Sequence, residues 1–164
     1  MAARSFMEAL EFGRTGELVV AGELEARGWF VIPSYDYTGA DGDKAPKMRR
    51  CGDAVVVPDL DVCRRGDRKW VEVKTKTEPT LHRKTQTLEH GIDAHHWEQY
   101  GRVQTESGCN VFLCVLERSS GQVLIASIDG LRSKLRRGTG AGSCMVYFPR
   151  TAFRVLFTLT TEAA

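Results

Sequence analysis

The stretch that most constrains this chain runs from Gly52 to Lys76, GDAVVVPDLDVCRRGDRKWVEVKTK. A β-branched run, Ala54 to Val57, continues into Pro58-Asp59-Leu60. The polar group Arg64-Arg65-Gly66-Asp67 follows, and then Trp70-Val71-Glu72-Val73-Lys74. Such runs, joined by a glycine-containing turn, predict a hairpin. Side chains alternate along a strand, so Val71 and Val73 share one face and Glu72 and Lys74 the other. Pairing brings Asp59 beside Glu72, and two carboxylates then meet one ammonium. Carboxylates about 4 Å apart repel by roughly 4 kcal/mol at an effective dielectric of about 20. One lysine offsets part of this, and a divalent cation with oxygen ligands offsets it fully. Asp61 has the same strand parity as Asp59 and is its rival for the role.

The pattern Pro58-Asp59, then Glu72-Val73-Lys74, resembles the motif of the PD-(D/E)xK nuclease superfamily. Within it, the chain is most similar to the archaeal-type Holliday junction resolvases, over residues 10 to 117. The resemblance implies a restriction-endonuclease-like fold, metal-dependent hydrolysis of DNA phosphodiester bonds, and Mg²⁺ or Mn²⁺ as cofactor. It implies that Asp59, Glu72 and the Val73 carbonyl hold the metal and that Glu17 completes the site. Lys74 would position the attacking water and neutralise charge on the phosphate. In some members a Gln or Tyr on the following helix supports the site. Gln99 and Tyr100 stand at that place here, at a spacing that departs from the Gln-xxx-Tyr form.

The remainder reads as one α/β domain, residues 1–164, with a mixed central sheet flanked by helices. Residues 5–27 predict a helix, with Ser5 as a cap and Gly28 as its end. Phe6, Leu10, Gly13, Glu17, Val20 and Leu24 recur at helical spacing, which sets the Glu17 carboxylate on the apolar stripe. A strand is expected over 29–35 and a loop over 36–51; Lys47, Arg49 and Arg50 lie at the loop's end. Asp41 and Asp43 in that loop lack the terminal Glu of a calcium-binding loop. Residues 75–91 have few apolar side chains and read as a long functional loop. A second helix, 94–107, is capped by Asp93 and closed by Gly108. Residues 110–116 form an apolar run suited to a buried strand. A strand over 122–128 follows, then a short helix over 130–137 capped by Asp129, and final strands over 144–148 and 153–159.

The formal net charge is only +2, so affinity for a polyanion has to come from local clusters. The expected nucleic-acid contacts are Lys76, Arg83 and Lys84 after the motif, and Arg132, Lys134, Arg136 and Arg137 near the C-terminus. The five cysteines show no CxxC spacing and form no zinc pattern with the four histidines. This usage fits a reducing cytoplasm. No apolar run is long enough to span a membrane, and the N-terminus lacks a signal-peptide core. The expected activity is a metal-dependent endonuclease acting on DNA, with junction or branched DNA as a structure-specific substrate. Two alternatives stand beside it: a non-catalytic nucleic-acid-binding protein with a degenerate nuclease fold, and an RNA nuclease. The oligomeric state is open, a homodimer included.

Overall fold

The computed structural model describes residues 6–34, 46–138 and 144–159. The chain runs α1 (Phe6–Ala26), β1 (Phe30–Pro33), β2 (Lys47–Arg50), β3 (Asp53–Val56), β4 (Leu60–Arg64) and β5 (Asp67–Lys76). Next come β6 (Thr80–His82), β7 (Thr87–Asp93), α2 (Ala94–Ser107), β8 (Asn110–Glu117) and β9 (Gln122–Ser127). Then follow α3 (Ile128–Arg132), β10 (Arg136–Arg137), β11 (Met145–Pro149), a 3-10 turn (Arg150–Ala152) and β12 (Arg154–Thr158).

A central six-stranded sheet has the order β1-β4-β5-β8-β9-β12. β5 and β8 are parallel, as a crossover through α2 allows, and their neighbours pair antiparallel. The sheet is therefore mixed, with helices against its faces, as the sequence predicts. Alternation divides β5 between two cores. Val71 and Val73 pack with Val20 and Leu24 of α1, together with Cys114 and Leu116. Trp70 packs on the other face with Leu113, Val115 and the α2 residues Tyr100 and Val103. A second sheet, β10-β11-β7-β6, adds Ile92, Val146 and Phe148 to that core. No helix among the described residues is long and apolar enough to cross a membrane.

The motif hairpin forms, but its first strand differs from the expectation. β4 begins at Leu60 and pairs Leu60 with Val71 and Asp61 with Trp70. Residues 53–56 pair instead with β2, inside the segment expected to be loop. Pro58 explains the break: it has no N–H to donate to a ladder and lies between the two strands. Arg65 at φ 49° and Gly66 at φ 83° make the left-handed pair of a tight hairpin turn.

Residues 75–91 are not a loop. β5 runs on to Lys76, and β6 and β7 form a second hairpin with Leu81 opposite Leu88. Each of its strands shows so little apolar alternation at this end that no period emerges from the sequence. α2 matches expectation: the Asp93 carboxylate accepts the His95 N–H at 2.7 Å, and Gly108 closes the helix at φ 67°. α3 is shorter than expected and starts earlier. Ser127, not Asp129, caps it by accepting the Gly130 N–H at 3.1 Å, and Arg136 and Arg137 belong to β10. Ser5, Asp41 and Asp43 lie outside the described residues.

Candidate active site

β5 carries the site because it is central and its even-numbered residues face α2. Glu72 is 4 % exposed and Asp59 is 7 % exposed. Asp59 sits one residue before β4, so the Leu60–Val71 register continues to Glu72. The Asp59 Oδ2 accepts the Val73 N–H at 2.8 Å. Its own carbonyl accepts the Ser34 N–H at 2.7 Å, which fixes the Asp59 backbone against the end of β1. Glu72 Oε1 accepts from the Tyr100 hydroxyl and is ion-paired with Lys74.

These contacts leave the cluster short of positive charge. Burial holds the Asp59 carboxyl well above the usual carboxylate range, and the Glu72 charge pushes it further. Lys74 and the Val73 amide pull the other way, while Glu17 adds to the rise. Glu17 therefore feels Asp59 electrostatically from α1. Gly16 lets that helix come close: a Cβ there would run into Thr75 Oγ1. That hydroxyl is buried and has no hydrogen-bond partner among the described residues.

Asp59, Glu72, Val73 and Lys74 thus lie together beside the hairpin, with Glu17 in electrostatic reach of Asp59. Asp61 is engaged elsewhere, in a two-pronged ion pair with Arg68 at 2.9 and 2.5 Å. Tyr100 is the residue that sequence reasoning left open. Its position on the Trp97-Tyr100-Val103 face of α2 is the signal that aims it at β5. Among the described residues, no group of three acidic, His or Cys side chains closes into a metal cage. Glu72 is turned toward Lys74 and Tyr100 instead. The donor set still suits a hard cation. It offers two buried carboxylates and a backbone carbonyl, and Mg²⁺ is commonly held by one or two carboxylates with water and phosphate oxygens. The suppressed ionisation of Asp59 fits a hydrated cation at this place.

A second buried polar cluster lies at the far end of β8, and sequence reasoning missed it. Glu117, opposite Lys76 in the ladder, accepts from Arg150 Nε and Nη2 at 2.8 Å each. His90 Nε2 contacts it at 2.7 Å and Ser120 Oγ donates at 2.9 Å. Burial pushes the Glu117 carboxyl up, but the hydrogen bonds from Arg150, His90 and Ser120 outweigh it and hold the carboxyl at about 2.

The expected phosphate contacts divide. Lys76 is half-buried; burial and then the neighbouring Lys74 charge lower its pKa. Arg83 and Lys84 are exposed at the turn of the β6–β7 hairpin. Arg136 is paired with Glu89. Arg132 and Arg137 line a cleft with Glu98, Arg102 and Glu106 along α2, away from β5. Lys134 is exposed after α3. Arg50 lies 3.5 Å from Glu106.

No protein-family model matches the sequence, and no curated protein matches it. The structure is similar to that of a Holliday junction resolvase from the archaeal hyperthermophile Archaeoglobus fulgidus. The TM-score is 0.58, over 88 % of this chain and 91 % of that one, at 14 % identity. The chain has the restriction-endonuclease-like fold. A nuclease from a fusselovirus shares it, with a TM-score of 0.51 over 95 % of this chain and 90 % of that one, at 12 % identity. In the restriction-endonuclease-like fold of this chain, the motif carboxylates lie on and beside the central strand β5, between α1 and α2.

Proposed function

We propose that the protein is a metal-dependent endonuclease that hydrolyses DNA phosphodiester bonds. The observation that carries this reading is the convergence of Asp59, Glu72 and Lys74 on one buried patch where Asp59 ionisation is suppressed. Asp59, Glu72 and the Val73 carbonyl would hold Mg²⁺ or Mn²⁺, with Glu17 contributing from α1. Such a cation supplies Lewis acidity and lowers the pKa of bound water.

The chain's own groups do the rest. The Val73 N–H fixes the Asp59 carboxylate. Tyr100 orients Glu72 from α2. Lys74 presents an ammonium that orients the attacking water and stabilises negative charge growing on the phosphate oxygens. The water oxygen bonds to phosphorus as it gives up a proton to solvent, the bridging P–O bond breaks, and the displaced oxygen takes up a proton from solvent. The substrate would reach the site past Lys76 at the end of β5 and past Arg83 and Lys84 at the turn of the β6–β7 hairpin. The likeness to nucleases of the same fold supports this reading, and junction or branched DNA is the substrate class it favours.

The satisfied contacts of Glu72 favour one other reading, a nucleic-acid binder that has lost catalysis. A panel of four-way junction, flap, nicked duplex, linear duplex, single-stranded DNA and RNA decides, each incubated with Mg²⁺, Mn²⁺ or EDTA. Metal-dependent cleavage of DNA supports the enzyme. Binding without cleavage under every condition assigns the binder, and cleavage of RNA alone assigns the RNA nuclease.

A further inference from the structure

We infer that the β6–β7 hairpin is a wedge that inserts Leu81 and Leu88 between unstacked bases at a branch or strand end. The inference rests on the nuclease reading above and names the part of the substrate that the hairpin engages.

Leu81 and Leu88 are directly paired across the hairpin and are 48 % and 45 % exposed. Leu88 shares its strand parity with His90 and Ile92, which are buried against the central sheet. The two leucines therefore continue the inward face of the second sheet to where, among the described residues, they stay about half-exposed. Paired across the hairpin, they form one exposed apolar edge.

Charge identifies that partner. Arg83 and Lys84 flank the pair at the turn, and neither side chain has an ion pair or hydrogen bond among the described residues. Lys76 stands at the hairpin's root, next to Lys74. Cations around an apolar pair suit a nucleic acid, whose phosphates and base faces match the two in turn. Proteins that kink duplexes use leucine and similar side chains in this way.

Hydrogen bonds brace the hairpin at both ends. At its turn, His82 Nδ1 contacts Thr85 Oγ1 at 2.7 Å, Gln86 Nε2 donates to the Arg83 carbonyl at 2.7 Å, and Thr87 Oγ1 donates to the Thr85 carbonyl at 3.3 Å. At its base, His90 is fastened to Glu117, which Arg150 also holds. Unstacking a base costs free energy, least where stacking is already interrupted. A rigid apolar edge therefore selects branches and ends over continuous duplex.

The test compares wild type with Leu81→Ser/Leu88→Ser. Both positions are half-exposed, and an unchanged melting temperature checks the fold. Binding is measured in Ca²⁺ to a four-way junction, a flap and a linear duplex, with 2-aminopurine at the branch. Wild type should bind branched DNA at least tenfold tighter than linear duplex and raise the 2-aminopurine fluorescence. The double variant should lose both effects while keeping its affinity for linear duplex. Retention of the preference and of the fluorescence rise overturns the wedge. So does a wild type that cleaves DNA without preferring branches, and that result leaves the nuclease reading standing. A wild type that neither binds nor cleaves any nucleic acid overturns both.

Discussion

Asp59 and Val73 are joined across the β4–β5 hairpin by a 2.8 Å hydrogen bond from the Val73 amide to Asp59 Oδ2. This bond places the carboxylate that follows Pro58 next to Glu72 and out of water. The same bond stabilises the ionised form of Asp59, yet burial and the Glu72 charge outweigh it. The site is thus built at the expense of stability, as is common where function requires charges of one sign together.

Asp59→Asn removes the repelling charge and keeps an oxygen to accept the Val73 N–H. In EDTA at neutral pH this variant should melt a few degrees above wild type, since about 1 kcal/mol shifts Tm by roughly 2–8 °C in domains of this size range. Mg²⁺ should raise the melting temperature of wild type and leave the variant unchanged. Differential scanning calorimetry checks both outcomes, and a variant less stable than wild type in EDTA contradicts the electrostatic account of Asp59.

Tyr100→Phe deletes the hydroxyl that donates to Glu72 and nothing else. A hydrogen bond to a buried charged group contributes about 1.5–3 kcal/mol. The variant should be destabilised by an amount in that range. If Tyr100 also orients Glu72 for catalysis, kcat should fall about tenfold or more with little change in KM. Steady-state kinetics and urea unfolding measured side by side separate the two effects.

How much of this was legible in the sequence depends on the length of the pattern. The motif hairpin, α1, α2 with both caps, and β8 each carry a long enough period or a distinct terminal residue to be read directly. Pro58 was visible, but its consequence was not: the chain changes sheets there, and only the pairing partners Leu60 and Lys47 reveal it. The β6–β7 hairpin escaped because β6 is short and the tip, with few apolar residues, faces solvent. The spacing of Trp97, Tyr100 and Val103 sets Tyr100 on the α2 face that meets β5, but its contact with Glu72 depends on how α2 lies over β5. The ion cluster of Glu117, His90 and Arg150 joins residues far apart in sequence, and no local pattern announces it.

That cluster should show itself in acid. The Glu117 carboxyl is depressed in the folded state, so its contribution is present above the ordinary glutamate pKa of about 4.3. It is lost as pH falls through about 2. Glu117→Gln should be less stable than wild type at neutral pH and lack this part of the acid-induced loss. Melting temperatures from pH 7 downward test it; parallel curves for the two proteins contradict it.

Gly16 should tolerate no side chain while Thr75 is present. Gly16→Ala drives a methyl group into Thr75 Oγ1, and overpacking of this kind typically costs about 1–3 kcal/mol. Thr75→Ala makes room, so the double variant should recover most of the loss. Additive effects in the double-mutant cycle would contradict the close approach of α1 to β5.

The most direct test of the central claim is cleavage of branched and linear DNA by wild type and Glu72→Gln, purified identically and matched for melting behaviour. With Mg²⁺, wild type should cleave and Glu72→Gln should be slower by more than about a hundredfold, exceeding the loss usual for an outer-shell residue. EDTA should abolish the wild-type activity. Equal cleavage by the two proteins, or undiminished cleavage in EDTA, would contradict the assignment of a metal-dependent nuclease site at Asp59, Glu72 and Lys74.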